Sequence, residues 1–249
     1  MKVKKEIVVG TFVVVIFVAG IALIYNYGIN NDRNKLARRI AELGNPGGPP
    51  ETVEGLREAI RLYEKQIEQH VKDAAQVGVY WRILAVRLQN RGLHNEALGA
   101  LEQAVFYSPQ DASLLYLTGI SAARVAKSFL DFSGGAGSGA ERYYALAEDA
   151  YRRAIALDER YAKPMYALGV LYVFELGRPE DAIPVMERYL TLTANDVDGM
   201  AVLAHAYALT SRYEFALDLY DKILSITKDK TKRAAVEESR RQVMDSYYG

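Results

Sequence analysis

Between residues 78 and 230 the chain repeats itself, and that period limits its fold more than any other feature. Four segments align: 78–111, 112–161, 162–196 and 197–230, of 34, 50, 35 and 34 residues. The first carries Trp81, Leu84, Ala85 and Leu88, a break at Gly92, then Ala97, Leu101, Ala104 and Pro109. The second carries Leu115, Thr118, Gly119 and Ala122, then Ala147, Tyr151, Ala154 and Leu157. Met165, Leu168, Gly169 and Tyr172 open the third, which breaks at Gly177 and continues with Ala182, Met186 and Tyr189. Met200, Leu203, Ala204 and Tyr207, then Ala216, Tyr220 and Ile223, make the fourth. Apolar residues recur at three and four, the helical spacing, and no alternating strand pattern is sustained. A helix pair of this size cannot bury its apolar face alone, so the period predicts an all-α chain whose pairs stack into a solenoid.

Small residues give the pattern its mechanics. Ala85, Gly119, Gly169 and Ala204 let the two helices of a pair approach, and Ala97, Ala147, Ala182 and Ala216 do so from the second helix. Trp81, Tyr151, Tyr172, Tyr207 and Tyr220 fill the remaining space. Over about 150 residues this pattern resembles the tetratricopeptide repeat family. The resemblance implies a solenoid of helical hairpins whose first helices line a concave, protein-binding groove. Carried over position by position, it implies groove residues Arg82, Val86, Gln89 and Asn90, then Ser113, Tyr116, Ile120 and Arg124. Lys163, Tyr166, Val170 and Phe174 follow, and then Asp198, Ala201, His205 and Leu209. Some family members clamp a terminal carboxylate with Lys and Asn. Here the matching positions hold Arg82 with Val86 and Tyr116 with Ile120, so the clamp is absent. The surface instead mixes aromatic, aliphatic and basic groups, which suits an amphipathic helix or an extended segment of another protein.

The flanks complete the stack, in a solenoid domain over 51–249. Residues 51–75, with Leu56, Ile60, Tyr63 and Ile67, read as one long helix. The charged stretch 231–248 reads as a capping helix with a polar outer face. Two irregularities stand out. Pro184 falls inside the second helix of the third repeat, where it is expected to kink the helix or displace its start. The second repeat carries an insertion over 127–142, with Phe129, Leu130 and Phe132 before a glycine run and Tyr143 and Tyr144 after it. Both helices are expected to outrun the stack as a protruding hairpin. Its five apolar side chains either pack on one another or offer an edge to a partner.

Composition changes sharply at the N-terminus. A basic tail over 1–6 carries Lys2, Lys4 and Lys5. Residues 7–25, IVVGTFVVVIFVAGIALIY, then run without a charge. As a helix this run spans roughly 28 Å, near the bilayer hydrocarbon thickness. It is longer than the apolar part of a signal peptide, and Leu23-Ile24-Tyr25-Asn26-Tyr27 makes a poor cleavage site, so it predicts a single uncleaved transmembrane helix. Tyr25 and Tyr27 sit where an interfacial aromatic belt belongs. The three lysines favour a cytoplasmic N-terminus and a periplasmic or otherwise extracytoplasmic solenoid. Arg33, Lys35, Arg38 and Arg39 beyond the run leave the reverse orientation open. Residues 26–50 join a short basic helix, bearing Leu36, Ile40 and Leu43, to a Pro/Gly linker at 45–50.

Chemistry is sparse. The 31 basic and 31 acidic residues balance, whereas a dedicated nucleic-acid binder needs a basic excess. The chain has no cysteine, hence no disulfide, thiolate metal site or cysteine nucleophile. His70, His94 and His205 are scattered over different segments, and neither HExxH nor a phosphate loop is present. No catalytic residue, metal or cofactor is expected. The reading is a membrane-tethered scaffold that binds proteins or peptides. Its layout is similar to that of bacterial envelope proteins that assist assembly of membrane machinery. A holdase for unfolded clients and a self-assembling homo-oligomeric component are the alternatives.

Overall fold

The computed structural model of the chain describes residues 52–133 and 138–248. The tail, the apolar run at 7–25 and the basic linker lie outside the described residues. Among those described, no helix is long and apolar enough to cross a membrane. The chain divides into two units, Met1–Ala74 and Ala75–Gly249. Helix α1, Val53–Asn90, runs through the boundary. In the first unit its described part exposes Val53, Leu56, Ile60, Tyr63 and Ile67, while Ala59 and Leu62 are buried.

The second unit is a stack of helices in chain order. After the C-terminal part of α1 come α2 (His94–Tyr107), α3 (Ala112–Ser133), α4 (Ser138–Leu157) and α5 (Ala162–Val170). A π turn, Leu171–Glu175, continues α5. Helices α6 (Pro179–Leu192), α7 (Val197–Leu209), α8 (Tyr213–Ile226) and α9 (Lys230–Tyr248) complete it. From α2 onward each helix packs on the next, and the first helices of neighbouring pairs, α3 with α5 and α5 with α7, also meet. One apolar core runs from Ala122 in α3 to Val243 in α9, and a smaller one joins Ala85, Ala100, Leu101, Ala104 and Leu114. This is an all-helical solenoid of tetratricopeptide type.

The small residues set the spacing. A Cβ on Gly119 would lie 2.3 Å from the Tyr151 ring, and one on Gly169 would lie 2.1 Å from Met186 Sδ. Ala85, Ala97, Ala147, Ala182, Ala204 and Ala216 are fully buried. Each pair therefore closes on a small residue from one helix and a large one from the other.

Turns between the helices of a pair are equally regular. Gly92 and Gly177 have φ of 75° and 60°, and Ser211 takes the same left-handed conformation at 58°. Leu93 N–H donates to Leu88 O (3.0 Å) and Arg212 N–H to Tyr207 O (2.8 Å), five residues back, the bond that ends a helix on a left-handed residue. In the third repeat Arg178 N–H reaches six residues back, to Tyr172 O at 2.8 Å. The extra residue is taken up by the π turn, so the neighbouring contacts keep their register.

Two expectations differ from this structure. The helix read as ending near Ala75 continues to Asn90, because nothing between Ala75 and Gly78 breaks it and Gly78 lies under Tyr107, with only 2.8 Å from an added Cβ to Tyr107 Cβ. Pro184 does not displace the start of α6, which begins at Pro179 and runs to Leu192. Pro184 lies in the second turn on the exposed side, so it removes one bond, to Glu180 O, while Ala182, Ile183 and Met186 stay buried. The third repeat's distortion falls instead in its first helix.

The packing rule makes an opposed pair of outcomes. Gly119→Ala is expected to lower stability by about 1–3 kcal/mol, as overpacking does. At Gly99, inside α2, an added Cβ meets nothing within 4 Å. Gly99→Ala is expected to raise stability by roughly 0.5–1 kcal/mol. Thermal and urea unfolding of both variants checks the signs.

Candidate functional site

The first helices hold the implied groove residues, and the structure sorts these into two groups. One group is tied up in the stack. Gln89 Nε2 donates to Leu117 O (2.9 Å) and to Ser121 Oγ (2.8 Å), joining α1 to α3. Ser121 is fully buried, so this amide serves a helix seam. Arg82 reaches Asp111 at 2.9 Å, and Asp111 Oδ1 in turn accepts from Ser113 N–H and Oγ at the start of α3. Burial opposes the Asp111 charge, but these bonds and Arg82 hold its carboxyl below the usual range. Tyr116 is half-buried between Tyr151 (6.1 Å) and Tyr161 (5.5 Å), and burial pushes its hydroxyl pKa up. Tyr166 packs on Tyr189 at 5.6 Å. Both rings belong partly to the core.

The other group is open. Phe174, on the π turn, is 54% exposed and stacks flat on His205 of α7, with centroids 5.3 Å apart and planes within 6°. Leu209, one turn beyond His205, is also 54% exposed. Desolvation lowers the His205 pKa, which favours the neutral ring. Asn90, Arg124 and Lys163 are exposed, and neither cation makes an ion pair with a described residue. The structure thus brings Phe174, His205 and Leu209 together and leaves Arg124 and Lys163 as unneutralised charges.

The inserted hairpin is long, with α3 and α4 at 22 and 20 residues against 13 or 14 in α2, α6, α7 and α8. Phe129 stacks on Tyr143 across it, at 5.5 Å and 19°. Tyr144 turns inward instead of joining an apolar edge. It is buried and donates to Glu175 Oε2 at 2.7 Å. The side chains of Leu130 and Phe132 lie outside those described.

Two hollows escaped the sequence reading, because it followed only the first helices. A groove of about 420 Å³ lies between α2 and α4, lined by Leu98, Glu102, Val105, Leu115, Leu146 and Arg153 among others. A second, of about 380 Å³, lies where the turn Gly92–Glu96 meets Arg124, Phe129 and Tyr143. His94 Nδ1 is buried there with no hydrogen-bond partner among the described residues. Desolvation first, then the Arg124 charge, lowers its pKa. A further recurring device was also missed. Tyr172 donates to Glu148 (2.9 Å) and Tyr207 to Glu187 (2.5 Å), tying first helices to the preceding second helix. Burial and these carboxylates push both phenol pKa values up to about 12, so the hydroxyls stay protonated donors. Among the described residues no group of three His, Asp or Glu could hold a metal ion.

The comparisons agree on this architecture. A tetratricopeptide repeat family model matches residues 200–234, the span of α7, α8 and the start of α9. No curated protein matches the chain in sequence. Among solved structures, MamA from Desulfovibrio magneticus RS-1 is similar at TM-score 0.53 and 18% identity, covering 68% of this chain and 94% of that one. YrrB, described as a tetratricopeptide-repeat protein with an unusual peptide-binding site, is similar at TM-score 0.52 and 18% identity, covering 74% and 90%. At these identities the likeness is one of fold.

The stacked histidine has a pH consequence. Because its folded pKa lies below the ordinary value of about 6.5, its stabilising contribution is complete above that value and is lost as pH falls through the folded pKa. Acidification from about pH 7.5 to about 5.5 is therefore expected to lower the melting temperature more in the native protein than in His205→Phe. His94, shifted the same way, is common to both proteins. Parallel melting curves across that range are the check.

Proposed function

We propose that the chain is a scaffold that holds another protein through the face built by its first helices. The observation that carries this is the Phe174–His205–Leu209 strip. Two large apolar side chains stand more than half exposed beside a neutral imidazole, on helices whose other apolar residues are buried or half-buried. Exposed aromatic groups on a rigid frame are typical binding anchors, since burying them on a partner removes apolar area from water at little entropic cost. Unpaired Arg124 and Lys163 add a basic element, which favours a partner segment with apolar side chains and some acidic ones. The peptide-binding site named for YrrB supports the class of ligand.

We propose further that this scaffold is held in a membrane by the apolar run at 7–25, as a single-pass protein with a cytoplasmic N-terminus and an extracytoplasmic solenoid. In a double-membraned bacterium this is the inner membrane and periplasm. Tethering raises the local concentration near membrane partners, so modest groove affinity suffices to assemble a complex there.

A paired pull-down from the native cell tests the binding face. One bait is the native protein, one carries Phe174→Ser with Leu209→Ser, and one carries Phe106→Ser. Phe106 is 75% exposed on α2, a second helix, so it controls for loss of surface apolarity. A dominant partner should be lost from the double variant by roughly tenfold or more and retained by Phe106→Ser. A broad set of unrelated clients lost together points to the holdase reading. Retention of the partner by the double variant rejects this face.

A further inference from the structure

Helix α1 is 38 residues long, almost three times the 13 or 14 of α2, α6, α7 and α8. Its first 22 residues carry a pattern that the solenoid does not use. Val53, Leu56, Ile60, Tyr63, Ile67, His70 and Ala74 alternate at three and four. That is a repeat of 3.5 residues sustained over three heptads, and it differs from the 3.6 of a straight helix. On a lone helix such a stripe drifts by about 20° per heptad, so it stays in contact only with another helix that coils around it.

The stripe is open to solvent. Val53, Leu56, Ile60, Tyr63 and Ile67 are 58, 41, 56, 43 and 61% exposed, whereas Ala59 and Leu62, which lie off the stripe, are buried. Its composition specifies the partner. β-Branched Val53, Ile60 and Ile67 occupy the first heptad position, with Leu56, Tyr63 and His70 at the fourth, and β-branched first positions favour two parallel strands. No charge interrupts it, and His70 is its one polar member before Ala74.

We propose that residues 53–74 pair with the same residues of a second copy, as a parallel two-stranded coiled coil. The charge pattern is compatible with a like chain. The segment holds Glu54, Glu58, Glu64, Glu68 and Asp73 against Arg57, Arg61, Lys65 and Lys72, close to neutral. Glu58–Arg61 and Glu68–Lys72 pair within one helix. In a parallel, in-register pair Gln66 flanks Val71 of the other copy, and Glu64 lies toward the already buried Ala59, so no like charges face each other. Parallel order also leaves both N-terminal segments at one end, as a shared membrane requires. The pairing does not depend on the proposed groove.

The cysteine-free chain gives a clean test. Single cysteines are placed in the full-length protein at Ile60, Ile67 and Lys65, and mild oxidant is added to membranes or detergent solution. Equivalent first-position residues meet their own copies across a parallel seam, whereas Lys65 faces away. Ile60→Cys and Ile67→Cys should each form disulfide-linked dimers about tenfold or more faster than Lys65→Cys. Sedimentation of the double variant Ile60→Glu with Ile67→Glu should show the dimer lost, with the unfolding midpoint of the solenoid unchanged. Equal rates at all three cysteines, or no dimer at any, overturns the proposal. Cross-linking of an Ile60→Cys chain to an Ile67→Cys chain in preference to its own kind overturns the parallel order.

Discussion

The solenoid depends on the close crossing of the two helices within each pair. Gly119 beneath Tyr151 and Gly169 beneath Met186 leave no room for even one added methyl group. That close approach decides which side chains are sealed between the two helices of a pair and which remain outside. The ion pairs between repeats, such as Arg188–Glu159 and Arg212–Glu180, lie on exposed surface and contribute little to stability by themselves. They mark the register that apolar packing has already set.

The π turn at Leu171–Glu175 shows how strictly that register is kept. The third repeat is one residue longer than the first and fourth, and the added residue is absorbed within one turn of its first helix. Leu168, Gly169, Leu171, Tyr172 and Val173 remain buried on one side of the distortion, and Gly177 still makes the turn on the other. Phe174 sits on the distorted turn and faces outward. A single extra residue thus coincides with an aromatic ring held more than half exposed, in keeping with the frequent use of π turns at functional sites.

Most of the fold was legible because its determinants are local and periodic. Alanines and glycines at fixed spacing, and the turns at Gly92 and Gly177, can be read directly from the order of residues, whereas the left-handed Ser211 could not. The candidate site was less legible, for a geometric reason. Adjacent positions on a first helix differ by about 100° in direction, so a small error of phase moves a side chain from groove to seam. Gln89, Tyr116 and Tyr166 are placed by the seam, whereas Phe174 and Leu209 face outward. The tyrosine–carboxylate struts were hidden because Tyr172 and Glu148, or Tyr207 and Glu187, lie on different helices. The continuity of α1 was masked by Gly78, which looks like a break in sequence and serves instead as the space beneath Tyr107.

The central claim is that the face bearing Phe174, and not the opposite face of the stack, receives the partner. Site-specific photo-cross-linking tests it most directly. A photoreactive phenylalanine analogue replaces Phe174 in one protein and Phe106 in another, and both are irradiated in the native cell. The account expects one discrete adduct from position 174 and none of that mass from position 106. The same adduct from position 106, with position 174 silent, contradicts it.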